Sequence, residues 1–209
     1  MIRWLFIAFI ALLAGAATSP ADIIYNPTNF ILGDVWLGEE TFDLDVDANG
    51  SVDFSLTAAG TLSFAGIRPE NLNRNLIHPD PPPNIGGGVA ALTTNYLIDL
   101  NSGINSSEQW YRDGNWDALI IVLSTGHTGE FYNHRGFVGL EFEADDGTHY
   151  GWLDVEGIQG RPSVQIRGWA YEIEPNKGIV AGAIPEPSSM ILFIVGIAGV
   201  WTLRKRKNR

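Results

Sequence analysis

The chain has 209 residues, with 24 glycines, 11 prolines and no cysteine, which excludes disulfide staples, thiolate metal sites and thiol catalysis. Its formal net charge is −11, but residues 22–183 hold seven basic and 23 acidic side chains, a net −16, because Arg3 and five of the last six residues carry the other cations. So acidic a surface repels phosphate backbones and anionic headgroups. Nucleic acid is excluded as a partner, and a cationic or neutral partner is favoured.

In chain order, Arg3 precedes an apolar run from Trp4 to Leu13 and a small-residue stretch, Ala14 to Ala21. This is the order of a secretory signal over residues 1–21, with Ser19-Pro20-Ala21 as the cleavage site. A membrane anchor is the rival reading, although the run has half of the about 20 residues a span needs.

From residue 22 to 183, period-two alternation predicts strands with one buried face: Phe42, Leu44 and Val46; Val52, Phe54 and Leu56; Leu62 and Phe64; Val138, Leu140 and Phe142. The run Ala118 to Leu123 predicts a strand buried on both faces. Gly168 interrupts Val164 to Tyr171, where a bulge would let Val164, Ile166, Trp169 and Tyr171 share one core. Residues 68–88, with Pro79, the run Pro81-Pro82-Pro83 and three consecutive glycines, read as a long loop that excludes a central strand, and residues 100–115 as a second polar loop. The expected fold is a single all-β domain, an antiparallel β-sandwich or jelly roll, flanked by an N-terminal signal helix and a C-terminal transmembrane helix.

One motif carries metal chemistry. Counting from Asp45, oxygen ligands fall at Asp45, Asp47, Asn49 and Asp53, Gly50 takes the turn, and Ser51 offers its backbone carbonyl. The spacing is that of a calcium loop, except that Leu56 stands where a bidentate glutamate belongs. The same residues also read as a polar hairpin turning at Asn49-Gly50, and both readings stand. His127, Glu130 and His134 have zinc-ligand types at a spacing that matches no protease helix; a solvated turn is the alternative. Among the acids Glu141, Glu143, Asp145, Asp154 and Glu156 no spacing selects a catalytic pair. Trp110, Tyr111, Trp116, Tyr150 and Trp152 are candidates either for stacking on sugar rings or for filling the core.

At the C-terminus, Pro185-Glu186-Pro187 precedes an uncharged apolar stretch, Met190 to Leu203, and the tail Arg204-Lys205-Arg206-Lys207. The cations keep the tail cytoplasmic and leave the acidic domain outside. At 1.5 Å per residue the stretch covers about 21 Å of a roughly 30 Å hydrocarbon core, short for a permanent span. This tripartite end resembles the PEP-CTERM sorting signal of Gram-negative bacteria. The resemblance implies processing by an exosortase-type enzyme during export to the surface or exopolysaccharide matrix. Gly136 to Leu140, Thr148 to Trp152, Trp169 to Glu172 and Ile179 to Gly182 also look like the pre-signal region of PEP-CTERM proteins, implying a shared β module of unknown role.

The expected organisation is therefore a signal peptide (1–21), an extracytoplasmic β domain (22–183) and a sorting signal (184–209) with its helix at about 188–203 and its basic tail at 204–209. The expected function is that of a non-enzymatic surface or matrix protein, stabilised by calcium and contacting exopolysaccharide, with no other cofactor. Its partners are the secretion machinery, the exosortase-type enzyme and, before processing, the membrane. The alternative is a secreted polysaccharide-active hydrolase.

Overall fold

The computed structural model describes residues 22–33, 38–78, 88–104, 107–112, 114–123 and 126–185. The signal segment 1–21 and the sorting helix and tail lie outside the described residues. Among those described no helix is long and apolar enough to cross a membrane.

The domain is all-β. Among the described residues fourteen strands run β1 (Ile23–Leu32), β2 (Glu39–Leu44), β3 (Phe54–Ala59), β4 (Phe64–Pro69), β5 (Arg74–His78), β6 (Gly88–Val89), β7 (Leu97–Ile98), β8 (Gln109–Tyr111), β9 (Asp117–Leu123), β10 (Gly126–Thr128), β11 (Arg135–Ala144), β12 (Gly147–Gly157), β13 (Val164–Glu172) and β14 (Ile179–Val180). Twelve belong to one sheet in the order β1-β13-β12-β11-β5-β6-β9-β4-β3-β2, with β8 beside β5 and β10 beside β9. Every pairing is antiparallel except β6 with β9.

The expected two-layer sandwich is instead one sheet curled into a nearly closed barrel. Its two edges, β1 and β2, follow each other in sequence and meet at a seam closed by side chains. Gly33 N donates to Glu40 Oε2 at 2.8 Å, Ser163 Oγ donates to Gly33 O at 2.6 Å, and the Phe30 and Phe42 rings meet edge-on at 4.8 Å. Curling removes most of the exposed edge that a flat sheet would offer to aggregation. Pro27, which has no N–H to give, sits on edge strand β1 where the register slips between Pro27 and Phe30.

Alternation sorts the side chains into two clusters. Val138, Leu140 and Phe142 of β11, Leu153 and Val155 of β12, and Phe54 and Leu56 of β3 fill the barrel interior. On the outer face, Leu76, Tyr150 and Trp152 pack under Ala90, Leu92, Ile98 and Ile179, so the β7–β14 ribbon caps a second, smaller core.

Two loops read from composition prove to contain strands. Arg74–His78 is central in the sheet and buries Leu76 and Ile77, and Gln109–Tyr111 pairs with it. Prolines and polar residues dominate those stretches, and five or fewer ordered residues are too few to show a period. By contrast, β9 is buried along both faces from Asp117 to Ile121. The β13 bulge lies at Arg167-Gly168, where the register against β12 jumps from Asp154↔Gly168 to Val155↔Ile166. Val164, Ile166 and Tyr171 enter the barrel core and Trp169 packs against it.

Candidate functional site: the acidic end of the barrel

Between β2 and β3 the ladder closes at Leu44 and Phe54, with Asp53 N donating to Leu44 O at 2.9 Å. The nine residues between bow outward rather than forming the two-residue turn that Asn49-Gly50 suggests. Ala48 (φ 60°) and Gly50 (φ 93°) take left-handed conformations that turn the chain back on itself. Backbone amides then point inward: Asn49 N and Gly50 N donate to Asp45, Asn49 N also to Asp47, and Ser51 N to Asn49 Oδ1.

One carboxylate oxygen each of Asp45, Asp47 and Asp53 lies within 4.8 Å of the others. Asp53 is buried, accepting from Val46 N at 2.8 Å and from Asn73 Nδ2 at 3.1 Å. Burial pushes its carboxyl up to about 6, reinforced by the charges of Asp47 and Asp45 and opposed by those two hydrogen bonds. Three converging carboxylates suit a hard divalent cation. Asn49 and Ser51 are exposed on the same loop, whereas Leu56 points fully into the core and leaves no ligand at the twelfth position.

Other connections converge on this end. Glu70 N donates to Asp53 O, Asn73 accepts from Glu143 N at 3.0 Å, and Trp169 Nε1 reaches Val46 O at 3.4 Å. The β11–β12 hairpin turns at Asp145-Asp146, and Asp146 Oδ1 lies 2.8 Å from Nε2 of buried His149, whose Nδ1 lies 2.8 Å from Glu172 O. The His149 contact holds the exposed Asp146 carboxyl below the usual range. Between this hairpin and the Asp-rich loop lies a hollow of about 230 Å³, lined by Asp47, Phe142, Ala144, Asp146, His149, Tyr171 and Ile173. Sequence reasoning missed His149 and Asp146; the turn signal Asp146-Gly147 was the clue to the hairpin.

The remaining candidates scatter. Glu130 contacts His78 and accepts from Ala91 N at 2.8 Å, and His134 lines a hollow with Leu92, Arg135 and Phe137; the His127 side chain lies outside the described residues. Glu141, Asp154 and Glu156 each receive an arginine, respectively Arg74, Arg135 and Arg167.

Trp152 is 2% exposed, packed between Phe137 and Tyr25, so it presents no face to a glycan. Trp110 is half-buried against Tyr150, with its Nε1 on Asp99 O at 3.1 Å, and Tyr111 follows it on β8. Trp116, also half-buried, lies under the Arg68 guanidinium at 4.7 Å. Arg68 borders an open hollow of about 660 Å³ shared with Glu70, Asn71 and Arg112.

Compared with known proteins, the chain matches the PEP-CTERM protein-sorting motif over residues 183–207. The match begins where the described barrel ends and takes in the Pro185-Glu186-Pro187 element, the apolar stretch and the basic tail. No curated protein and no solved structure matches.

Proposed function

We propose that this chain, which carries a PEP-CTERM protein-sorting motif at residues 183–207, is an exported, non-enzymatic protein of the cell surface or exopolysaccharide matrix. That motif is the observation that carries the reading. Residues 1–21 start export, the apolar helix at about 188–203 holds the precursor in the membrane with the acidic barrel outside, and an exosortase-type enzyme acts beside Pro185-Glu186-Pro187. Calcium held by Asp45, Asp47, Asn49, Ser51 and Asp53 steadies the barrel's acidic end. The half-exposed rings Trp110, Tyr111 and Trp116 contact exopolysaccharide, with Arg68, which lies over Trp116, and Arg112, which shares a hollow with Arg68, as hydrogen-bond donors to sugar hydroxyls.

The sorting reading is tested by replacing Pro185, Glu186 and Pro187 with alanine and fractionating cells. The expected result is accumulation of the unprocessed precursor in the membrane; unchanged release and unchanged mass would sink the reading. The calcium reading is tested by calorimetric titration, where absence of heat at about 5 mM calcium would remove it, since even weak extracellular sites bind in the 0.1–1 mM range, roughly.

A further inference from the structure

Exposed apolar side chains are not spread evenly over the domain. Of the nine large ones exposed among the described residues, five lie in two short segments: Leu97, Leu100 and Ile104 on β7 and the turns after it, Val180 and Ile184 on β14 and just beyond it. Register joins them. Leu97 and Val180 stand directly opposite each other in the two-stranded ribbon, while Ile98 and Ile179 beside them are buried in the second core. In such a pair the Cβ atoms are about 5 Å apart, so the two exposed side chains form one surface. The turn that carries Leu100 folds back on the ribbon, with Ser102 Oγ donating to Leu97 O at 3.0 Å.

Charge is nearly missing from the same place. Residues 97–104 and 178–185 contain a single ionisable side chain, Asp99. Its carboxylate is turned into its own loop, accepting from Asn101 N at 2.8 Å and Ser102 N at 3.0 Å. In so acidic a domain, an apolar face without free charge is the part that a lipid surface does not repel.

Where the chain goes next says what covers this face. The described domain ends at Ile184-Pro185, and the apolar segment read as a membrane helix begins at about Ser188. Four residues span at most about 14 Å, or about 12 Å in the polyproline geometry that Pro185 and Pro187 favour. The headgroup layer takes up roughly 6 Å of that, half the difference between a bilayer of about 42 Å and its core of about 30 Å. Ile184, and the ribbon strand that ends at Val180, are therefore carried to the lipid surface by the chain itself. A tether so short makes the contact intramolecular, so a weak apolar attraction is enough to hold it.

We propose that in the anchored precursor the β7–β14 ribbon lies on the external leaflet of the bilayer, with Leu97, Val180 and Ile184 in the interfacial layer and Leu100 and Ile104 beside them. The inference rests on the reading of residues 188–203 as a membrane helix. Lipid is the occupant because the tether supplies it at contact distance, which it does for no other partner. The contact fixes which side of the barrel faces the membrane and keeps Pro185-Glu186-Pro187 at headgroup level.

The absence of cysteine allows single-site labelling. Full-length chain in phosphatidylcholine vesicles, with and without a doxyl group on the lipid acyl chain, carries an environment-sensitive fluorophore at Leu97→Cys, Val180→Cys, Leu72→Cys or Ala198→Cys. Leu72 is the control, since it is 65% exposed against 53% for Leu97 but lies between β4 and β5. Doxyl lipid should quench the Leu97 and Val180 labels several-fold more than the Leu72 label. Leu97→Asp, at an exposed position that leaves the barrel intact, should reduce quenching of the Val180 label several-fold. A Leu97 label quenched no more than the Leu72 label, with the Ala198 label quenched, overturns the inference and leaves the anchor standing. An unquenched Ala198 label removes the anchor and the inference with it. Quenching at Val180 that ignores Leu97→Asp means proximity without contact, and a blue shift at Leu97 without quenching gives the face to another copy of the chain; either result overturns the lipid assignment.

Discussion

Asp53 makes the stability of this barrel depend on pH in an unusual direction. Its carboxyl titrates at about 6 in the folded protein against 3.8 when unperturbed, so the folded state holds the proton more tightly than the unfolded one. The stabilisation is fully present below the unfolded value and is lost as pH rises through about 6. A difference of about two units at 1.36 kcal/mol each gives a loss of about 3 kcal/mol between acid and neutral pH. Asp53→Asn keeps the shape and removes the titration. Urea unfolding followed by tryptophan fluorescence, in chelator, at steps from about pH 4 to 8, should show the wild type losing stability relative to the variant as pH rises. Added calcium should reverse the trend, because a bound cation favours the ionised carboxylate. A wild-type-minus-variant difference that stays flat with pH would refute the burial argument.

Three further changes probe the framework. Arg74→Met leaves Glu141, which is 3% exposed, without its guanidinium and should destabilise by about 3 kcal/mol, whereas the double change with Glu141→Leu should recover most of the loss in a double-mutant cycle. A Cβ at position 157 would overlap the Phe131 carbonyl oxygen, so Gly157→Ala should cost more than about 3 kcal/mol, read as a drop in melting temperature. Trp152→Ala should cost about 3–5 kcal/mol and leave glycan binding by the folded protein unchanged, because the ring fills the outer core.

Alternation made the barrel's inner face legible: Val138, Leu140 and Phe142 sit where period two puts them, and the pause at Gly168 marks a real bulge. Closure was not legible, because a curled sheet and a sandwich bury the same alternate residues; only the meeting of β1 with β2 separates them. Strand β1 escaped notice because Asn26-Pro27-Thr28 breaks its pattern at an edge where a missing N–H costs little. At the acidic end, the Asp-rich loop was readable from its spacing alone. Its neighbours were not: Asp146 and His149 lie about a hundred residues downstream, and nothing local predicts which hairpin tip will face which loop. The aromatics divided by position in the sheet, Trp152 on the covered outer face of a long central strand and Trp116 at a strand entrance.

The seam also imposes an order of events on a chain threaded N-terminus first. Among the described strands Ile23–Leu32 emerges first, yet it pairs with Val164–Glu172, the last long strand to appear. Meanwhile the meander of Glu39–Leu44, Phe54–Ala59 and Phe64–Pro69 can form from neighbours alone, and the hairpin Arg135–Gly157 likewise. Long-range pairing closes slowly, and a waiting strand offers unpaired edge groups to any other chain nearby. Closure of the barrel therefore waits on the pairing of strands at opposite ends of the domain's sequence, and until it forms both present unpaired edge groups.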